Sequence, residues 1–201
     1  MPITPMQIAA LLAAAVAASA AHAEPPEPGR LIAVLSGDWT SDEEPDAVVL
    51  VQAPDGMADL TIYEGGFRGL EPVLSLPGRI DAGPLAGAAP GLEARGPRRF
   101  AILTEQTGVG REPWYQSLTV TYREGDYWVT GYAYDFYDRL DPGNHGSCAV
   151  DLETGAFRVV RGQGEDRPDR VIEGRGAPQM VRLADLGPGY WPDACTALDE
   201  D

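Results

Sequence analysis

Residues 38–46 read Asp38-Trp39-Thr40-Ser41-Asp42-Glu43-Glu44-Pro45-Asp46, which puts side-chain oxygens at relative positions 1, 3, 5 and 9. A hard cation such as calcium takes about six to eight oxygen ligands, and alternate residues of a tight loop can offer them from one side. Asp38, Thr40, Asp42 and Asp46 are therefore the candidate metal ligands, with calcium the expected ion. Thr40 stands where a stronger oxygen donor would be usual, and Glu43 stands where a glycine would ease the turn. The competing reading is a solvated acidic turn without a metal.

A second constellation is aromatic. Six of the eight tyrosines and two of the four tryptophans fall between Trp114 and Tyr137. A hairpin turning at Arg123–Asp126 sets Tyr122 opposite Tyr127 and Val120 opposite Val129. Strict alternation then gives one core side, with Leu118, Val120, Tyr122, Tyr127, Val129, Gly131 and Ala133. The other side collects Ser117, Thr119, Thr121, Trp128, Thr130, Tyr132 and Tyr134. Rings and hydroxyls on one face can stack on a sugar or grip a protein partner, so Trp128, Tyr132 and Tyr134 are the candidate binding residues. The alternative is that these rings pack beneath the 77–97 segment or the C-terminal tail.

Catalytic patterns are sparse. Asp135, Asp138 and Asp141, spaced by three, are the acids to inspect for a glycoside-hydrolase pair, against the reading of an exposed acidic turn. His145 lies two residues from Ser147 in a glycine-rich stretch, with no oxyanion-hole or G-x-S-x-G pattern to support a triad. The chain has no lysine; its 15 basic residues are all arginine. That excludes a Schiff-base lysine and a P-loop.

These groups must be positioned by strands. Apolar residues come in short or alternating runs between frequent Gly and Pro, the pattern of an all-β protein built from antiparallel meanders, as a sandwich or an incomplete propeller. The expected strands are 31–35, 47–52, 60–63, 73–76, 100–104, 115–122, 127–134, 148–152 and 156–160. Turns fall at Ala53-Pro54-Asp55-Gly56, Arg123–Asp126 and Glu153-Thr154-Gly155. Residues 77–97, with five glycines and four prolines, read as a long loop between a first β half (24–76) and a second (98–160), followed by a tail over 161–201.

The N-terminus sets the compartment. An uncharged, Ala-rich run ends at Ala21-His22-Ala23, a small-x-small cleavage site, so residues 1–23 read as a signal peptide and the mature chain as one secreted or periplasmic domain of 24–201. The run is shorter than the ~20 residues a membrane span needs, and Glu24-Pro25-Pro26-Glu27-Pro28 follows as a helix-breaking spacer. No later segment could span a membrane. In an oxidising compartment Cys148 and Cys195, the only two cysteines, pair as a disulfide. A formal charge of −16 disfavours nucleic acid and anionic membranes as partners.

The run Gly37-Asp38 through Asp46-Ala47-Val48-Val49-Leu50-Val51 resembles the loop of FG-GAP and related β-propeller repeats, Asp-x-Asp/Asn-x-Asp-Gly-x-x-Asp between two strands. The segment Trp114–Gly155, with TVTYREGDYWVTGYAYDFYDRLDP and GSCAVDLETG, resembles small secreted bacterial proteins of unknown function that carry such a loop. The resemblance implies a pseudo-propeller with a structural calcium ion. By a distant analogy to invertebrate-type lysozyme inhibitors, it also implies protein binding rather than catalysis. The expectation is a non-enzymatic protein that binds a periplasmic or extracellular protein or glycan. A secreted hydrolase using acidic residues and a structural envelope protein are the alternatives.

Overall fold

Turn chemistry sets where the chain reverses. At Glu124-Gly125 both residues take positive φ (55° and 78°), the two-residue geometry whose twist matches the flanking strands, and glycine makes the second position cheap. The computed structural model describes residues 29–83, 87–164 and 166–199. The expected signal peptide, 1–23, and the Glu24–Pro28 spacer lie outside the described residues.

The first sheet is a meander of β1 (Leu31–Gly37), β2 (Asp46–Gln52), β3 (Met57–Glu64) and β4 (Glu71–Asp81). The second runs through β5 (Gly91–Ala94), β6 (Arg99–Gln106), β7 (Trp114–Arg123), β8 (Asp126–Tyr137), β9 (His145–Asp151), β10 (Ala156–Arg161) and β11 (Arg170–Arg175) in order. The short β12 (Val181–Arg182) takes up the edge of β8 at Trp128 and Val129, below the point where β9 begins to pair at Gly131. Every pairing is antiparallel, and the strand path does not close into a barrel. The all-β meander architecture and its disulfide are thus as the sequence implies.

Alternation fills one core from both sheets. Ala58, Leu60 and Ile62 of β3 and Phe100 and Ile102 of β6 are almost wholly buried, in one cluster with Val120, Val129 and Val159. Trp39, from the loop between β1 and β2, inserts there with its ring 5.5 Å from Phe100. Across the same core the Tyr127 hydroxyl donates to Glu64 at 3.2 Å, joining the second sheet to the first.

Two expectations change. The 77–97 segment is not a loop throughout: β4 continues through Pro77 to Asp81, and β5 lies within it. β4 is an edge strand, where a proline need not supply a ladder N–H. The tail beyond 161 likewise carries β11 and β12 before two short 3₁₀ turns, Leu183–Asp185 and Asp193–Leu198.

The second change decides the site. Val120 pairs with Val129 but Thr119 pairs with Gly131, so Thr130 is an extra residue in β8, a β-bulge. An inserted residue exchanges the faces of all that follow. Tyr132 and Tyr134 therefore turn inward, Tyr132 to 3% exposure, while Gly131 and Ala133 turn outward. Trp128 stays on the outer face with Thr121 and Thr130, whose hydroxyls meet at 2.7 Å.

Candidate functional site

Behind the bulge the inner face of β7 and β8 becomes an aromatic wall. Trp114 and Tyr134 lie nearly parallel, centroids 6.2 Å apart at 26°. The tail crosses this wall and adds two rings edge-on. Trp191 meets Tyr134 at 5.0 Å and Tyr132 at 5.9 Å, and Tyr190 meets Tyr132 at 6.1 Å. Edge-to-face contacts of this kind add ~0.5–1.5 kcal/mol each beyond the area they bury. The tail is held in place by the Cys148–Cys195 disulfide, by Gln179 to Asp193 at 2.6 Å, and by Arg79 donating to the Leu186 carbonyl at 2.7 Å.

Where the first sheet, the second sheet and the tail meet, a cleft of about 380 Å³ opens, within the usual size range of small-ligand sites. Its apolar wall includes Ile80, Ile102 and Leu118, its rings are Trp114, Tyr134 and Tyr190, and Arg79 and Asp81 also line it. One polar chain runs along the inner face: Thr104 Oγ1 donates to Gln116 Oε1 at 3.1 Å, and Gln116 Nε2 donates to the Tyr132 hydroxyl at 3.1 Å. Each Gln amide carries two N–H groups and two acceptor lone pairs. Gln116 spends one of each internally, and its other N–H and lone pair have no protein partner among the described residues.

Burial pushes the Tyr132 phenol up to about 12, and burial likewise raises Tyr134 and Tyr190. All three are neutral hydroxyls near pH 7, suited to hydrogen bonding and not to taking a proton from a substrate.

None of the acids expected to do chemistry lines the cleft. Asp138 is buried and engaged on every side. Arg111 Nε donates to both its oxygens at 2.8 and 2.7 Å, Asn144 donates at 3.2 Å, and the Leu140 and Asp141 amides cap it at 2.8 and 3.3 Å. Those bonds, the Arg111 one foremost, hold its carboxyl well below the usual carboxylate range. Asp141 caps the Gly143 amide at 3.1 Å. Asp135 lines a separate outer-face pocket with Glu105 and Tyr115, and burial raises its carboxyl. His145 has its nitrogens 3.0 Å from the Pro142 carbonyl and 3.3 Å from Asp169, and no hydrogen bond joins it to Ser147 among the described residues.

Asp138 carries a pH prediction. Its lowered folded-state value means that its contribution is present above the unfolded carboxylate range, near pH 4, and is lost as pH falls below that. Glu64 and Asp135, raised by burial, act in the opposite sense. Thermal melts from pH 6 to pH 2 are expected to show a steep loss of Tm for the native chain and a lower, flatter profile for Asp138→Asn. Parallel profiles would show that the acid sensitivity comes from elsewhere.

The 38–46 loop turns its carboxylates onto backbone amides. Asp38 accepts from Ser41, Asp42 and Glu43 at 2.6, 3.1 and 3.2 Å, and Asp42 accepts from Glu44 at 3.0 Å. Asp46, fully buried, accepts from the Trp39 and Thr40 amides at 2.7 and 3.0 Å, the Thr40 hydroxyl at 3.3 Å and the Gly65 amide at 2.9 Å. Among the described residues no group of three or more His, Cys, Asp or Glu is gathered closely enough to hold a metal.

Of the expected binding residues, Tyr132 and Tyr134 thus belong to the inner wall, and Trp128 to the outer face under Arg182, whose guanidinium lies 5.4 Å from its ring. Arg79, Asp81, Trp114, Gln116 and Tyr190 are among the lining residues that sequence reading did not single out. Trp114 and the tail rings were visible as aromatics, but no spacing relates them. Comparison with protein-family models, with curated proteins and with solved structures finds no match to this chain.

Proposed function

We propose that the protein is a non-enzymatic binding protein, working in the periplasm or outside the cell, that takes a glycan in the cleft between its sheets. The carrying observation is the pairing of three ring side chains with the half-used Gln116 amide at one cavity. Sugar rings present an apolar face for stacking and hydroxyls for directed hydrogen bonds, and this lining offers both. The neutral phenols, with Asp135, Asp138 and Asp141 outside the cleft lining, favour binding over hydrolysis. The signal-like N-terminus and the disulfide support the compartment.

The test is calorimetry with a panel of soluble disaccharides and short oligosaccharides, neutral and carboxylated. At least one is expected to bind. Trp114→Ala and Gln116→Ala are each expected to weaken it about tenfold, equivalent to ~1.4 kcal/mol. Trp128→Ala, on the opposite face, is expected to leave binding unchanged. No binding at millimolar sugar, or an effect of Trp128 equal to that of Trp114, would overturn the reading.

A further inference from the structure

The charge at the cleft mouth narrows the ligand further, on the assumption that the cleft binds a glycan at all. In a chain of net charge −16, seven arginines are each held by at least one carboxylate: Arg68, Arg95, Arg99, Arg111, Arg123, Arg158 and Arg182. Arg98 and Arg161 lie over the rings of Tyr122 and Phe136. Arg79 shares with Arg30, Arg139, Arg167, Arg170 and Arg175 the lack of either kind of partner among the described residues, and of these it is the one that lines the cleft. Its one hydrogen bond is from Nη1 to the Leu186 carbonyl at 2.7 Å.

That single bond matters because it fixes the guanidinium without neutralising it. A guanidinium carries five N–H donors in a rigid fork that matches a carboxylate in two parallel bonds, and one anchored donor leaves four others to be satisfied. Trp114, Tyr134 and Tyr190 line the same cavity as Arg79 and Gln116, so a ring stacked there meets a guanidinium and an amide among the same lining groups. Asp81, two residues further along β4, supplies acceptors for ring hydroxyls. The global negative field does not forbid an anionic ligand, since at physiological salt it is screened over about 8 Å.

We propose that the cleft selects a sugar ring bearing a carboxylate, with Arg79 as its anchor and Gln116 as the hydroxyl reader. A neutral sugar would leave the fork in water and gain only the stacking and amide contacts.

The experiment uses short oligosaccharides of galacturonate, glucuronate and N-acetylneuraminate, each beside its carboxyl-reduced form, titrated into the full mature chain. The expected result is at least tenfold tighter binding of one acid than of its reduced partner. That preference should be abolished by Arg79→Gln and partly kept by Arg79→Lys, which preserves the charge but not the fork. Thermal melts of both variants separate a loosened tail from a lost anchor. If a reduced sugar binds as tightly as its acid, or if Arg79→Gln keeps the preference, the carboxylate assignment fails while glycan binding stands. If neither form of any sugar binds at millimolar concentration, the carboxylate assignment and the glycan reading fail together.

Discussion

Asp46→Ala is expected to destabilise the fold by about 3 kcal/mol, since it strands buried backbone donors that each cost ~1–3 kcal/mol when left unpaired. Four donors converge on this fully buried carboxylate. Two are the amides of Trp39 and Thr40, which fix where the loop turns, and a third, from Gly65, ties the β3–β4 connection to it. Gly65 itself passes so close to the Pro45 carbonyl that a side chain there would collide. The loop thereby delivers Trp39 into the core against Phe100, so losing the carboxylate releases a buried ring as well as its own bonds. Asp46→Asn is expected to recover little, because its NH₂ would face donors instead of an acceptor. Asp38→Ala, whose three bonds are exposed, should cost under about 1 kcal/mol. Urea midpoints at unchanged m-value measure all three.

The same wiring bears on the calcium expectation. With Asp38 and Asp46 already engaged by amides, millimolar calcium against chelator is expected to leave the melting temperature unchanged. A rise that Asp42→Ala removes would show that the loop gives up its amide bonds for a cation.

How far the sequence discloses this molecule depends on the range of the interaction. The nine expected strands all occur, because alternation and turn residues are local signals. β5 escapes notice because Gly91-Leu92-Glu93-Ala94 has little strand propensity and forms only by pairing with β6. β11 shows only Val171-Ile172 to sequence reading, and its pairing with β10 supplies the rest. The bulge at Thr130 is the instructive case. A strict period of two predicts Tyr132 beside Trp128, and nothing in Trp128-Val129-Thr130-Gly131-Tyr132 announces the extra residue. What decides it is burial: Tyr132 and Tyr134 gain more by packing against the tail than by standing in solvent, and Gly131 and Ala133 lose little by facing out. The cleft was illegible for the same reason, being assembled from β3, β4, β6, β7, β8 and a tail that a disulfide brings back across the sheet.

That disulfide yields the other large effect. Cys148 and Cys195 stand 47 residues apart, and replacing both with serine is expected to cost about 4 kcal/mol on the chain-entropy account. The loss should not be uniform. Leu183 and Leu186 are buried, and Arg79 holds the Leu186 carbonyl, so the first part of the tail stays docked without the bridge. Beyond Leu186, Gly187, Pro188 and Gly189 are exposed and the Gln179–Asp193 bond is at the surface, so without the bridge the end of the tail is held chiefly by the buried Pro192 and Leu198. Tyr190 and Trp191 lie in that stretch, so they should leave Tyr132 and Tyr134 at temperatures well below global unfolding. Near-ultraviolet circular dichroism, dominated by coupled rings, is expected to fall in the double-serine variant while the far-ultraviolet strand signal persists. Ligand affinity at the cleft should weaken over the same range, because Tyr190 is one of its walls. Near- and far-ultraviolet signals that fade together would instead make the tail part of a single cooperative unit, with the disulfide acting on the unfolded chain alone.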